Sequence, residues 1–533
     1  MKYVSRSSFF FLLAITLFLF HSGYLYNFTV DDAYISFRYA DNLAKGEGLV
    51  FNPGERQEGY SNFLWIILLG VVARGGISPV IASKFLSIIF VLGIFFLIHK
   101  LSQNFEKKNS LPNYITLFLL ATNTSFTLWT VSGMETIFYT FLLLLAIYHF
   151  FRECEGKGTY LSALFFLLVA LTRPEGILFF ILPVLYKISD VLNPDSHFNR
   201  RSFYIYLLIF FLPFSAYILW KYLYFGSIIP NPFYAKFGSP LRLIYEPSSK
   251  FRKAWTYSTR AIIQNNLVVT IPFLGILLGE HGKEKRKLFF IVGVLLTQLL
   301  FIVSVGGDWM PYYRFVVPTL PLIYLLFQEG IKSSTIMIRS RLFKLSLAIT
   351  ILILCLINFP YSKIEHREYL RQSKGDLKRV KDFGEWLKQS FPAHYTIAYE
   401  EAGIPMYYSG LRLLDVLGLL NRDIAKIWYS QPHDYWEINK RVVDYVLGKK
   451  PEVIVLVYKR FPKKLGDFKS GISYIFYYNV KFQKQYKLIQ VKDWYLPHEN
   501  AFWPEGLSLF VYLRDDLKSL PEGIDISNRE TPI

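Results

Sequence analysis

Residues 8–40 read SFFFLLAITLFLFHSGYLYNFTVDDAYISFRYA, and the class of the protein follows from their order. Lys2 and Arg6 precede an apolar run, Phe9 to Phe20, and an acidic pair, Asp31 and Asp32, follows it. At about 1.5 Å per residue, a helix of about 20 residues matches the hydrocarbon thickness of a bilayer. A basic flank before an apolar run is also the form of a signal peptide. No small-x-small cleavage site follows, so the segment is expected to remain as a first membrane helix over roughly 8–27. Asp31 and Asp32 then emerge at the membrane surface.

Apolar runs of about 15 to 22 residues recur as far as residue 360. Hydrophobic residues make up 53% of the 533-residue chain and charged residues 19%, too little charge for a soluble surface of that size. About eleven spans are expected, over 8–27, 79–99, 112–130, 134–151, 159–172, 175–188, 203–225, 264–279, 287–304, 313–328 and 342–359. The apolar stretch 61–75 is short and is expected to lie on the outer surface as an interfacial helix. With the N-terminus in the cytoplasm, this choice puts Lys100, Lys107, Lys108, Lys187, Arg200 and Arg201 inside. The HGKEKRK run at 281–287 and Arg339, Arg341 and Lys344 also fall inside. Counting 61–75 as a span would move most of them out.

The expected fold is therefore a polytopic α-helical protein of the cell membrane over residues 1–360, with a first outer loop at 28–78. A mixed α/β extracytoplasmic domain follows over 361–533. There a helical stretch, Asp376 to Gln389, precedes strand-like HYTIAY, a Gly403–Gly410 segment, RLLDVLGL, PEVIVLVY and LSLFVYL. The net charge of +19 does not argue for nucleic acid in so apolar a chain, because membrane proteins collect basic residues in their loops. Cys154 and Cys355 have neither metal-ligand nor disulfide spacing. One outward segment, 226–263, breaks the charge rule with Lys236, Arg242, Lys250, Arg252, Lys253 and Arg260 against Glu246. Long loops obey that rule poorly; the other reading is a cationic site for an anionic lipid headgroup or lipid phosphate.

Paired acids after a helix are often ordinary solvated residues, but partial shielding would make Asp31 or Asp32 a stronger base. Arg38 lies about two turns on, within reach of the same helical face. Gly46, Gly48, Pro53, Gly54 and Gly59 punctuate the rest of the loop, which also carries Glu58. Other polar motifs fall on the same expected side. SGME ends in Glu135, TRPEG supplies Arg173 and Glu175, and GGDWMPYYR supplies Asp308, Trp309, Tyr312 and Arg314. Arg173 with Glu175 reads equally as a mutual ion pair, and Trp309 with Tyr312 as belt aromatics. Their common side points to a shared outer cavity. The chain has no Walker loop, HExxH, GxSxG or CxxC motif, so an activated donor would arrive through the lipid.

The loop DDAYISFRYADNLAKGEGLVFNPGERQEGYSNFLW, with SGMET, TRPEG and GGDWMPYYRFVVPTLP, resembles the bacterial GT-C glycosyltransferases. The group of the mycobacterial terminal arabinofuranosyltransferase AftB is the nearest likeness, and AGIPMYYSGLRLLDVLGLLNRDIA is similar to its C-terminal domain. The resemblance implies a membrane transferase that moves a sugar from a polyprenyl-phosphate donor to a cell-envelope glycan or glycolipid acceptor on the outer face. It implies an acidic base in the first outer loop, hence Asp31 or Asp32, with Asp31 the first choice. A composition rich in Lys, Ile, Phe and Tyr is unlike a mycobacterial protein's, so the likeness bears on reaction class rather than on arabinose.

Direct displacement with one base would invert the anomeric centre. Arg173, Arg314, Lys236 and Arg38, in that order, are the candidate cations for the leaving phosphate. Glu58 and Glu135 would orient the acceptor or help hold a divalent cation, whose use the sequence leaves open. Trp309 and Tyr312 would stack on a sugar. The rival reading is a transporter or flippase of lipid-linked sugars, although such proteins commonly place their sites near the midplane.

Overall fold

The computed structural model describes residues 6–103, 114–191, 200–237, 247–273, 283–308, 310–338, 340–358, 364–430, 435–459, 462, 470–495 and 507–517. Its helices begin with α1 (Arg6–Leu25), α2 (Asp31–Ala44), α3 (Phe63–Arg74), α4 (Pro79–Gln103), α5 (Ile115–Thr122) and α6 (Thr124–Val131). They continue with α7 (Thr136–Cys154), α8 (Leu161–Thr172), α9 (Gly176–Val191), α10 (Arg200–Phe225) and α11 (Asn231–Phe237). Next come α12 (Pro247–Gln264), α13 (Lys283–Val305), α14 (Leu320–Met337), α15 (Arg341–Asn358) and α16 (Ile364–Ser390). Among the described residues, six helices are long and apolar enough to cross a membrane: α1, α4, α7, α10, α13 and α15. The apolar helices α3 and α8 are shorter.

Buried polar contacts show which helix ends meet. Lys84, in the second turn of α4, donates to the carbonyls of Tyr26 (2.5 Å) and Phe28 (2.9 Å), just past the end of α1. Asn62 precedes α3 at this same end, so the chain through α3 returns to the end it left. At the opposite end Gln328 of α14 joins Ser102 of α4 and the Thr116 N–H of α5. Ion pairs Lys287–Glu155 and Arg286–Asp190 gather there too.

Several expected spans differ in detail. The run 112–130 is divided at Asn123, whose extended backbone ends α5 and whose side-chain oxygen caps α6 by accepting the Phe126 N–H (2.8 Å). An Asn cap satisfies an amide that the break would leave bare. For the span expected at 264–279, α12 ends at Gln264 and left-handed Asn266 (φ 54°) starts a 3-10 turn, Leu267–Thr270; 274–282 lie outside the described residues. The span expected at 313–328 opens with a 3-10 turn, Val317–Thr319, before α14. Pro183 interrupts α9, where a ring in place of an N–H removes one helical bond.

After α16 the chain forms a five-stranded sheet in the order β2-β1-β3-β5-β4. Its strands are β1 (Thr396–Tyr399), β2 (Arg412–Asp415), β3 (Val453–Tyr458), β4 (Tyr486–Tyr495) and β5 (Leu507–Arg514). β1 pairs in parallel with β2 and β3, whereas β5 pairs antiparallel with β3 and β4. Period-two alternation sends Val453, Val455 and Val457 to the core shared with the membrane helices and Ile454, Leu456 and Tyr458 to a second core. β4 was not foreseen: Lys487, Gln490, Lys492 and Asp493 interrupt its apolar residues, and it pairs at the sheet edge with register shifts. Short helices α17 (Ile404–Ser409), α18 (Arg422–Ser430), α19 (Tyr435–Lys449), α20 (Gly471–Tyr478) and α21 (Val480–Gln485) complete this region.

Candidate functional site

The site grows from the start of α2. Val30 is extended (φ −80°, ψ 141°) and its N–H is held by the Ser132 carbonyl at 3.0 Å. The helix therefore begins at Asp31, and both aspartates occupy its first turn, where the macrodipole favours negative charge. Gly133 (φ +86°) lets the 132–135 turn lie flat on α2. A Cβ there would stand 2.7 Å from Phe37 and 3.1 Å from Ala33.

Ser36 lies four residues beyond Asp32 and shares its helical face. Its hydroxyl accepts from the Asn62 amide (3.0 Å), which also donates to Glu135 Oε2 (2.8 Å). Glu135 Oε1 takes a bond from Arg173 Nη1 (2.7 Å), and Arg173 Nε reaches Glu175 Oε1 (2.5 Å). Beside this chain Arg314 Nε pairs with Asp308 Oδ2 at 2.9 Å. Both guanidinium groups lie over the Phe315 ring, Arg173 at 5.3 Å and Arg314 at 5.0 Å from its centre. Glu135, Arg173, Glu175 and Arg314 are all buried. Charges in such a place persist only when paired and hydrogen-bonded. The expected pairing of Arg173 with Glu175 is present, but as one link of a longer array.

Tyr312 is buried at this cluster, its carbonyl accepting from the Trp129 indole (3.1 Å). Tyr312 (φ 60°) and Tyr313 (φ 52°) are both left-handed. That conformation is uncommon outside glycine and is held here by surrounding contacts, including the Phe315 N–H bond to Tyr257 Oη (3.1 Å). Trp309 lies outside the described residues, and Lys236 falls within α11 with its side chain outside them.

Asp31 and Arg38 face a different neighbour. Asp31 Oδ1 accepts the Ile404 N–H at 2.8 Å, and Gly403 lies so close that a Cβ would collide with the carboxylate. Arg38 donates from Nε to Phe51 O (2.9 Å), from Nη1 to Met406 O (2.6 Å) and from Nη2 to Leu411 O (2.7 Å). Burial pulls its guanidinium down to about 10. With all three nitrogens engaged by carbonyls, Arg38 fastens α2 to the segment before β2 and does not join the Arg173 cluster. Asn52 adds a reciprocal pair with Leu413, donating to its carbonyl (2.9 Å) and accepting its N–H (3.1 Å).

Glu58 belongs to another buried group. Its Oε1 pairs with Lys221 Nζ at 3.0 Å near the end of α10, and burial pushes the carboxyl up to about 7 against the pull of that lysine. Ser36, Asn62, Lys221 and Tyr257 were not singled out in the sequence. Lys221 had a usable signal, a lysine inside an apolar helix. Among the described residues, no cluster of three or more His, Cys, Asp or Glu side chains has an arrangement suited to a metal ion.

A family model described as a domain of unknown function (DUF8728) matches residues 366–510, which take in most of α16 and the sheet up to β5. No curated protein matches the chain.

Proposed function

We propose that this protein is a GT-C type membrane glycosyltransferase resembling the AftB group. It would use a polyprenyl-phosphate sugar and a cell-envelope glycan or glycolipid acceptor. The observation that carries the reading is the buried array Asn62–Glu135–Arg173–Glu175, beside Asp308–Arg314, on the face of α2 that bears Asp32 and Ser36. In this reading eleven spans place the array, the aspartates and the sheet region on the outer side of the cell membrane, with the N-terminus inside.

Asp32 takes the role of base. Asp31 is already held by the Ile404 N–H and serves to position the loop. The Asp32 carboxylate removes the proton from an acceptor hydroxyl as that oxygen bonds to the anomeric carbon. The bond from that carbon to the donor's phosphate oxygen breaks, and its electron pair leaves with the lipid phosphate. One displacement inverts the centre. Arg173 and Arg314, held rigid by their carboxylates and Phe315, are set to meet the charge that develops on the phosphate.

Incubating purified protein with a polyprenyl-phosphate sugar and an envelope glycan tests this. Transfer should occur and should fall to background in Asp32→Asn; undiminished transfer in that variant would overturn the assignment.

A further inference from the structure

Helix α12 is unlike the spans around it. Its sequence, PSSKFRKAWTYSTRAIIQ, holds four basic residues and no acidic one. At 3.6 residues per turn its described side chains sort into three stripes. Ala254, Tyr257 and Ala261 are buried and face the protein. Phe251 and Trp255 stack on each other (6.4 Å) and are 57% and 63% exposed, with Ile262 continuing their line. Lys253 and Arg260 form the third stripe, Arg252 stands between them and the aromatic line, and all three are exposed.

The buried stripe ties α12 to the site turn. Lys250 packs on Gly306, the Tyr257 ring packs on Gly307, and Tyr257 Oη holds Phe315 N–H. From there the helix descends to Asn265, whose side-chain oxygen takes a bond from Asn123 at 3.0 Å. Arg252 thus borders the aromatic stripe on the exposed face, and Lys253 and Arg260 line the far edge of that face.

We infer that α12 seats an anionic membrane lipid. Its phosphate lies against Arg252, with Lys253 and Arg260 along the far edge of the same exposed face, and its hydrocarbon chain runs along Phe251, Trp255 and Ile262. Charge complementarity selects the occupant. An apolar partner protein would leave three cations without counter-charge, whereas a soluble anion would leave the aromatic stripe bare. An arginine beside an aromatic stripe, with two further cations on the same exposed face, is the chemistry of a lipid phosphate. The inference rests on the membrane reading alone and would stand if no sugar were transferred.

Full-length protein in detergent, titrated with fluorescent phosphatidylglycerol and phosphatidylcholine, tests it. The wild type should prefer the anionic lipid by about tenfold or more, as expected of two or three cations at a lipid surface. The preference should shrink several-fold between about 50 mM and about 500 mM salt. It should vanish in Arg252→Gln/Lys253→Gln/Arg260→Gln. Phe251→Ala/Trp255→Ala should weaken both lipids. Unlabelled polyprenyl phosphate should displace the probe, and inorganic phosphate should not. A wild type with no preference or no salt response overturns the inference, as does displacement by inorganic phosphate alone. The salt series uses unaltered protein, so a variant that fails to fold does not shelter the claim.

Discussion

A carboxylate that accepts a backbone N–H is held in place, and Asp31 is so held while Asp32 shares the face of Ser36. Asp32→Asn is expected to lower turnover by roughly 10²–10⁴-fold, the range for loss of a general base. Asp31→Asn should cost less in kcat and more in acceptor KM, read from initial rates. Equal collapse of kcat in both would refute the division of labour. Arg173→Ala should destabilise the protein by about 3–5 kcal/mol in detergent melts, because it strands Glu135 and Glu175 without their cation. Glu58 predicts a pH effect. Folding raises its carboxyl from 4.5 to about 7, so between those values the folded chain holds a proton that the unfolded chain has lost. Its contribution is present below the lower value and is lost as pH rises through the upper. Thermal stability should fall from about pH 5 to about pH 8, and Glu58→Gln should flatten that slope.

Elements meet the site through close approaches that only small residues allow. Gly403 brings the turn before α17 onto the start of α2. A Cβ on it would meet both the carboxylate and the backbone carbonyl oxygen of Asp31. Gly403→Ala is therefore expected to lower activity by roughly 10²-fold, as misplacement of about an ångström can, while limited proteolysis still shows an intact sheet region. Unchanged activity would mean that the docking of this turn is incidental. The sheet strands lay where apolar runs bounded by turn residues put them. The edge strand β4 did not, because its register shifts break the period-two alternation: Tyr486, Leu488 and Val491 reach the second core and Ile489 the first.

Across the whole molecule, two ends of the bundle carry different chemistry. One gathers the carboxylate–guanidinium array, and the other gathers Lys187, Arg286 and Lys287 on Glu153, Asp190 and Glu155. Exposed Cys154 belongs to this second end, and exposed Lys440 to the sheet region. In intact cells an impermeant maleimide should label Lys440→Cys in a Cys154→Ser/Cys355→Ser background. Native Cys154 should react only after permeabilisation. The reverse pattern would invert the proposed topology.

Local chemistry alone was enough to mark the membrane class and the long apolar helices, which lie where apolar runs were read. Apolar run length and helix-end polarity are properties of neighbouring residues. Partnership is not local. Glu135 with Arg173, Asn62 with Glu135, and Arg38 with Met406 and Leu411 join residues 38, 73, 368 and 373 positions apart. The break at Asn123 was hidden because 112–130 reads as one run of span length. Asp31 and Asp32 stood side by side as one acidic pair with interchangeable roles. Successive residues on a helix point about 100° apart, so the fold gives the first to the Ile404 N–H and leaves the second on the helical face of Ser36.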